Sequence, residues 1–286
     1  MLGLGLGLQK STKLGGFIGL LDLFPGAAAA YSLRKLRAAY SGSAVRVRKE
    51  VSAVSSETDI GFLSDGSLDT ATLLTFASDA DGGDVFVVTW YDQSLSNDAT
   101  QGTAAAQPKI VSSGAVITEG TSAKPAIDFD GVDDFLYGIF SLDVTLGYTN
   151  FYVCNVTNDD RKYILASVKN SSNRYAIGVN SLGDYQSTKR SGSIVADAAT
   201  YSSGQVLLSD NSTPEIYLDG SLGVASSATL NNALVSEILT VGKDSSLSGS
   251  GQILGNMQEI ILYNTDQSSN RTAIETNINT FYSIYS

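Results

Sequence analysis

Residues 215–224, EIYLDGSLGV, carry the strongest hairpin signal in the chain. Two short apolar runs flank Asp219-Gly220, and Gly accepts the positive φ that a tight primed turn requires. Asp-Gly between such runs is the strongest short-range indication of a β-hairpin. A hairpin joins antiparallel neighbours, so this stretch predicts an antiparallel sheet.

The same pattern recurs along most of the chain. Short runs rich in β-branched and aromatic residues are separated by Gly, Ser, Asn and Asp, as in a meandering sandwich. Residues 125–138, PAIDFDGVDDFLYG, read as strand, turn, strand. The other predicted strands are in AVRVRKEV (44–51), DVFVVTWYD (84–92), PKIVSSGAVIT (108–118), TNFYVCNVT (149–157), KYILASVK (162–169), RYAIGVN (174–180), QVLLSD (205–210) and QILGNMQEIILYNT (252–265).

Three segments predict helices. In residues 27–42 the apolar Ala29, Leu33, Leu36 and Tyr40 recur at steps of four, three and four, which leaves Arg34, Lys35 and Arg37 on a solvated face. Residues 68–78 predict a short helix with Asp69 as its N-cap. Residues 265–286 predict a closing helix with a Ser cap, in which Ile274, Ile278, Phe281 and Tyr285 form the apolar face.

The composition excludes several classes of chemistry. The 286-residue chain contains no histidine, which removes Ser-His-Asp and Cys-His catalysis and His-ligated metals. Its single cysteine, Cys154, permits neither an intrachain disulfide nor a thiolate metal site. A hydrophobic content of 43% supports a sizeable core. We therefore expect one all-β domain stabilised by packing, and no cofactor.

The charge is unevenly distributed. Residues 1–50 carry a balance of +6 and the remainder −17, which together make the net charge of −11. An acidic body disfavours nucleic acid or an anionic membrane as partner. We therefore favour docking on protein for the basic N-terminal segment. Its partner could be the acidic body of its own chain or another subunit.

The first residues, MLGLGLGLQK, alternate Leu2, Leu4, Leu6 and Leu8 with Gly. Period two suits a strand, but Gly weakens any isolated strand, so we expect this peptide to be ordered only against something else. A partner chain or the chain's own sheet could hold it. We predict an anchoring arm over residues 1–25 and a sandwich domain over residues 26–286.

The run Trp90-Tyr91-Asp92 is a candidate carbohydrate site. An aromatic face can stack on sugar CH groups while a carboxylate accepts hydroxyl hydrogen bonds. The alternative, which we favour, is that an aromatic plugs the sandwich while Asp92 ties the loop through backbone N–H groups. Strand parity places Trp90 and Tyr91 on opposite faces, so at most one lies in a cleft.

A second candidate is the group Asp128, Asp130, Asp133 and Asp134. Paired carboxylates can act in glycoside hydrolysis, and oxygen-rich clusters suit calcium. Turn formation at Asp130-Gly131, with Asp128 facing solvent, explains most of the group and is the alternative that we favour.

Two resemblances connect these segments to known families. Residues 27–102, from AAAAYSLRKLRAAYSG to VVTWYDQSLSNDATQ, resemble the start of the arabinofuranosidase B family's catalytic domain. Segments of the second half are similar to sequence motifs of the concanavalin A-like, laminin G-type sandwich: IDFDGVDDFL, IYLDGSL, LTVGKDS and the C-terminal segment. Both resemblances imply a jelly-roll of two antiparallel sheets.

The first family's resemblance implies a retaining hydrolase whose nucleophile lies in a cysteine-flanked acidic stretch. This chain has only Cys154 there and no matching Glu, so no catalytic residue carries over. The combination of these two halves with an apolar, Gly-rich N-terminal leader also resembles modules of tailed-phage virion proteins.

That resemblance implies a non-enzymatic structural protein at the virion surface, of tail fibre, head fibre or decoration type. Residues 1–25 would bind other virion proteins and the loops would bind host carbohydrate. We expect a homo-oligomer, by analogy a trimer. The alternatives are a glycan-cleaving enzyme that uses Asp92 with one of Asp128–Asp134, and a secreted or cell-surface bacterial adhesin.

Overall fold

The computed structural model describes residues 16–142, 147–156, 162–170, 173–180, 183–191, 193–199, 204–212, 215–223, 234–244 and 251–286. No helix in these ranges combines the length and the hydropathy that crossing a bilayer requires.

Strands account for most of the described elements. In chain order the strands are β1 (Ala27–Ser32), β2 (Val45–Val51), β3 (Val54–Ile60), β4 (Val85–Trp90), β5 (Ala99–Thr100), β6 (Lys109–Ser112), β7 (Ala115–Val116), β8 (Thr118–Glu119), β9 (Lys124–Pro125), β10 (Ile127–Asp130), β11 (Leu136–Leu142), β12 (Thr149–Val156), β13 (Lys162–Asn170), β14 (Asn173–Val179), β15 (Tyr185–Ser191), β16 (Ser193–Ala199), β17 (Val206–Asn211), β18 (Glu215–Leu218), β19 (Ser221–Leu222), β20 (Leu234–Val241) and β21 (Leu254–Tyr263). The α-helices are α1 (Leu20–Leu23), α2 (Thr70–Ala77) and α3 (Arg271–Tyr282), and short 3₁₀ turns lie at Asp81–Gly83 and Ala104–Ala106.

The antiparallel pairings define two layers. The front sheet has the order β3-β2-β4-β5-β11-β20-β13-β14-β15-β16. The back sheet has the order β7-β6-β10-β21-β12-β17-β18-β19, and β1 lies beside β10 on the same edge of β21. A short pairing of β4 with β6 joins the two sheets at one corner.

One core lies between the sheets and a second lies behind the back sheet. In β12, Tyr152 and Cys154 face the front sheet, whereas Phe151 and Val153 face α3. The side-chain alternation of a strand places successive residues on opposite faces, so β12 is buried on both sides. The back sheet is therefore a central layer, and the architecture is an all-β sandwich as predicted.

The local turn and cap predictions are confirmed. The Asp69 side chain accepts from Thr72 N at 3.0 Å at the start of α2. Asp219 and Gly220 both have positive φ, and β18 pairs with β19 across them. The closing helix is also present, although it begins at Arg271 and its N-cap is Asn270, without a side-chain cap bond.

The helix predicted over residues 27–42 is wrong. Residues 27–32 form β1, which pairs with β21 from Ala27↔Tyr263 to Ser32↔Glu259. Strand pairing supplies both backbone hydrogen bonds and burial, since Ala29 and Tyr31 enter the inter-sheet core while Ala27 and Ala30 enter the core behind β21. These long-range contacts override the local helix preference of alanine.

Arg34 is correspondingly not on a solvated helix face. It is 7% exposed, and its guanidinium holds the Glu259 carboxylate with two hydrogen bonds of 2.7 and 2.9 Å. Ser32 Oγ donates to the same carboxylate at 2.7 Å. Arg34 of the basic segment therefore pairs with an acidic residue of its own domain, whereas Lys10 and Lys13 lie outside the described residues.

The predicted strand-turn-strand over residues 125–138 is present, but its two strands separate. β10 pairs with β21 and β6, whereas β11 pairs with β20 and β5. The turn at Gly131 therefore carries the chain from the back sheet to the front sheet.

Candidate functional site

Trp90 ends β4 and is completely buried between the sheets. Its ring centre lies 5.8 Å from that of Tyr31 on β1. A register shift between β2 and β4 lets Val87 and Trp90, three residues apart, both reach the core. A sugar platform needs an open ring face, and Trp90 has none, so its placement agrees with the plug alternative.

Asp92 is 2% exposed and serves as the centre of a loop. Its carboxylate accepts from the backbone N–H groups of Ala30 at 2.8 Å, Ser94 at 2.8 Å, Leu95 at 3.2 Å and Asn97 at 3.1 Å. Ser94 Oγ donates a further bond at 2.7 Å. A carboxylate with five such donors is committed to the loop, which leaves it no access to a substrate.

Gln93 continues the same connection to β1 and the segment after it. Its amide oxygen accepts from Leu36 N at 2.8 Å, and its amide nitrogen donates to the carbonyls of Ser32 and Arg34 at 3.0 and 2.9 Å. The Tyr-Asp-Gln-Ser run is therefore a clamp that holds residues 30–36. In this chain the motif behind the family resemblance has a structural role.

Tyr91 is the only one of the three candidates that reaches solvent. Its phenol donates to Asp59 Oδ1 at 2.9 Å, and Arg46 forms an ion pair with the same carboxylate at 3.0 Å. Partial burial, followed by the hydrogen bond to Asp59, raises the pKa of Tyr91 to about 12. As parity predicted, Trp90 and Tyr91 point in opposite directions.

The structure brings together three of the four clustered aspartates. The carboxylates of Asp130, Asp133 and Asp134 lie within 4.8 Å of one another, and Asp128 is not part of this group. Asp130 accepts from Val132 N at 2.8 Å and from Asp133 N at 3.3 Å, and Asp134 accepts from Asp130 N at 3.0 Å. This is the turn arrangement of the alternative that we favoured, and calcium binding stays a prediction.

Asp134 differs from its neighbours because it is buried. Burial, with the nearby charge of Asp130, raises the pKa of Asp134 to about 7. Asp128 is partly exposed on the outer face of β10, between the core residues Ile127 and Phe129, as the turn interpretation supposed. Partial burial raises its pKa as well.

The outer face of the front sheet, which we call the open face, was not predicted from the sequence. On β11 and just before it, Phe135, Tyr137 and Ile139 alternate with the core residue Leu136 and with Gly138. The rings of Phe135 and Tyr137 lie 6.0 Å apart and are tilted by 31°. Ile139 is 68% exposed and faces Ile238, itself 38% exposed, across the β11–β20 pair.

Polar groups border this apolar row. The Lys243 ammonium lies 4.3 Å from the Phe135 ring centre. Tyr137 pairs with Thr100, and Thr100 pairs with Thr89 on β4, two residues before Tyr91. The open face thus runs across the sheet from the Phe135–Tyr137 pair toward Tyr91 and its Arg46–Asp59 ion pair.

The opposite outer face is covered. Helix α3 packs Ile274, Ile278 and Tyr282 against the back sheet, and Leu20 and Leu21 of α1 join the same cluster. Among the described residues, no helix packs on the outer face of the front sheet around Ile139, so this face is the better candidate for a ligand. Period-two alternation in Phe135–Ile139 indicated an apolar strand face in the sequence, but not that this face stays open.

The anchoring residues Leu2, Leu4, Leu6 and Leu8 lie outside the described residues, so partner anchoring stays a prediction. The later part of the predicted arm, residues 16–25, lies against the domain, since Leu20 and Leu21 are buried there.

A scan of the sequence against protein-family models finds no match. A comparison with curated protein sequences finds none either.

Comparison with solved structures finds similar folds. A GH54 α-L-arabinofuranosidase soaked with a cyclic sulfate inhibitor superposes with a TM-score of 0.67 at 13% identity, covering 92% of this chain and 64% of that one. An arabinofuranosidase complexed with arabinofuranosyl-α-1,2-xylobiose gives the same score and identity over 90% and 63%. A Trypanosoma rangeli sialidase gives a TM-score of 0.45 at 10% identity over 68% and 31%.

The arabinofuranosidase likeness shows a shared β-sandwich fold. The chain spans slightly less than two thirds of the length of those arabinofuranosidases.

Proposed function

We propose that this protein is a carbohydrate-binding β-sandwich without catalytic activity, and that the open face is its binding surface. The observation that carries the proposal is the asymmetry of the two outer faces. Helix α3 covers the back one, while the front one exposes Ile139 beside the Phe135–Tyr137 pair. An exposed apolar row on a sheet is typical of an interaction surface.

The chemistry of the open face suits a sugar. Aromatic rings stack on the CH groups of a sugar ring, and the hydroxyl groups need hydrogen-bond partners at the edge. Tyr137 supplies a partly exposed ring, and Phe135, one face of which the buried Lys243 covers, extends the apolar row. Arg46 with Asp59 supplies a donor and an acceptor that are both about 40% exposed. The sandwich fold shared with arabinofuranosidases supports a carbohydrate as the ligand class.

The buried state of Asp92 argues against the hydrolase alternative. That alternative paired Asp92 with one of the aspartates at 128–134, but five hydrogen bonds occupy the Asp92 carboxylate inside the loop. Glycoside hydrolysis requires two carboxyl groups that reach the scissile bond from either side. Asp92 cannot act as one of them without dismantling the clamp.

A glycan-binding assay tests the proposal. Wild-type protein is titrated with a panel of arabinosyl and other plant and bacterial surface glycans, and the best ligand is then titrated against Tyr137→Ala. Loss of one stacked ring should weaken binding about three- to tenfold. Tyr285→Ala, a half-buried tyrosine at the C-terminus, is the control and should bind like wild type.

Two results would contradict the proposal. One is an unchanged affinity in Tyr137→Ala for a glycan that the wild type binds. The other is the release of sugar by the wild-type protein from any glycan in the panel, because turnover would favour the enzyme alternative. In that case Asp92→Asn, checked for folding by circular dichroism, shows whether Asp92 takes part.

A further inference from the structure

An apolar groove lies at the edge of the back sheet, on the side of α3 that faces α2. It has a volume of about 580 Å³. We call it the Leu74 groove, and the apolar residues that define it are Leu63, Leu68, Leu74, Val116, Pro125 and Phe281. Leu63 and Leu74 remain 47% and 39% exposed, so the groove is open to an occupant.

The described chain begins beside this groove. The Phe17 ring packs directly on Gly66, where an added Cβ would lie 2.2 Å from a ring carbon. Gly66 belongs to the loop that continues through Ser67 and Leu68 into the groove wall. Residue 16 is therefore next to a wall of the Leu74 groove, and the fifteen residues before it start from that point.

We propose that residues 1–15 of the same chain fold back and occupy the Leu74 groove. Fifteen residues can extend over about 50 Å, so the segment is long enough to line the groove from this starting point. Leu2, Leu4, Leu6 and Leu8 fall on one face of an extended segment, and the intervening glycines let its backbone approach a surface closely. Such a segment matches a groove lined by leucine, valine and proline.

Charge also favours the chain's own domain as the binding partner. Residues 1–15 carry Lys10 and Lys13 and no acidic residue. Asp65 and Asp69 lie in the groove's flanking loop and at the start of α2, and each bonds within its own turn, to Ser67 and Thr72 respectively. Lys124 also lines the groove and already acts electrostatically on Asp65, so in the proposed docking Asp69 is the carboxylate that a lysine of the segment would approach.

A peptide-binding experiment tests the docking. A variant that lacks residues 1–14 is titrated with a synthetic peptide of residues 1–14, after circular dichroism and Trp90 fluorescence have shown a native fold. Binding is expected, and Leu74→Asp in the truncated protein should weaken it at least tenfold. Val54→Asp, an exposed position in the β2–β3 hairpin, is the matched control and should leave binding unchanged.

The peptide itself supplies a second control. With Leu2, Leu4, Leu6 and Leu8 all replaced by Ser, it should not bind. Absence of binding by the natural peptide, or equal binding to the Leu74→Asp protein, overturns the proposal.

Disulfide trapping in the full chain then distinguishes the source of the segment. Cys154 is buried, so introduced cysteines are the reactive ones. Leu74→Cys is combined in turn with Leu4→Cys, Leu6→Cys and Leu8→Cys under mild oxidation. A disulfide within one chain in at least one pair is expected. Disulfide-linked dimers would mean that the segment enters a second copy, and no disulfide in any pair would mean that it lies elsewhere; both results overturn the proposal.

Discussion

Asp92 shows how a residue that invites a catalytic interpretation can be structural. A carboxylate beside two aromatics looks like part of a sugar site, but its partners are the backbone of β1 and of its own loop. Charge-assisted hydrogen bonds are stronger than neutral ones, and a buried donor left without a partner is costly. The clamp therefore depends on the charge and on both oxygens of this one side chain.

Asp92→Asn should destabilise the protein without affecting glycan binding at the open face. The amide would turn an NH₂ group toward Leu95 N and Asn97 N, so two hydrogen bonds are lost, and we expect a loss of about 3 kcal/mol. Urea unfolding measures this change. Asp65→Asn, in an exposed turn with Ser67, is the control and should destabilise the protein much less than Asp92→Asn. Equal stabilities of the two variants would contradict the clamp.

Asp134 predicts a specific pH dependence. Its carboxyl stays protonated in the folded protein up to about pH 7, whereas in the unfolded chain it ionises near its ordinary pKa of about 4. The folded state thus binds more protons in this window, and its free energy of unfolding falls as pH rises from 4 to 7.

Asp134→Asn should remove this contribution. The difference in stability between variant and wild type should change by about 1 kcal/mol per pH unit in the window, in favour of the variant at high pH. Urea titrations from pH 4 to 8 measure it. Asp81→Asn, in the 3₁₀ turn at Asp81–Gly83, is the control for a general charge effect. A difference that is flat with pH would show that Asp134 ionises normally.

At the scale of elements, the buried pair Arg34–Glu259 joins three parts of the structure. Arg34 follows β1, Glu259 lies in β21, and Arg34 also donates to Asn277 of α3 at 3.0 Å. Burial removes both charges from water, so the pair is satisfied only when all its hydrogen bonds form. It therefore fixes the position of α3 over the back sheet.

Glu259→Gln should destabilise the protein by about 3–5 kcal/mol, because Arg34 would remain as an uncompensated buried charge. The double variant Arg34→Met, Glu259→Leu should recover part of that loss, since it leaves no buried charge. Urea unfolding compares the three proteins. Arg46→Met breaks the exposed pair with Asp59 and should change the stability much less than Glu259→Gln. A double variant less stable than Glu259→Gln would rule out this explanation.

The Asp219-Gly220 turn should be destabilised by a side chain at Gly220. Gly220 has φ of 78° and follows Asp219, also at positive φ, so Gly220→Ala should cost about 1 kcal/mol in thermal or urea unfolding. Gly102→Ala is the control, because Gly102 has neither a positive φ nor a close neighbour. Equal effects would mean that the turn tolerates a side chain.

Elements that depend on neighbouring residues were predictable from the sequence. The α2 cap and the Asp219-Gly220 hairpin depend on residues within five positions of one another. Residues 27–42 were not predictable, because β1 depends on pairing with β21, more than 200 residues away. The sequence spacing of Ala29, Leu33 and Leu36 fits a helix equally well, so local periodicity could not decide between them.

At the scale of the whole molecule, the candidate site follows from which faces are covered. The alternation at Phe135, Tyr137 and Ile139 predicts a strand with two apolar sides, but it does not say which side is left open. That depends on α3, which comes from the end of the chain and covers the back sheet. The open face could therefore be found only from the assembled sandwich.

The same assembly predicts that the domain unfolds as one unit. Trp90 lies in the front sheet and Cys154 in the back sheet, from opposite halves of the chain, and both belong to the core between the sheets. Each is the only residue of its type, so each reports on one sheet without any substitution. Trp90 fluorescence and the reactivity of the Cys154 thiol toward an aromatic disulfide should change at the same urea concentration.

This coincidence follows from the chain path. The turn at Gly131 links β10 in the back sheet to β11 in the front sheet, and the β4–β6 pairing joins the sheets again at a corner. Neither sheet can lose its strands without exposing the inner face of the other, and a shared core of this size favours an all-or-none transition. Far-UV circular dichroism serves as the global control. A thiol that reacts at lower urea than the change in Trp90 fluorescence would show that the back sheet opens separately, and the two sheets would then be distinct folding units.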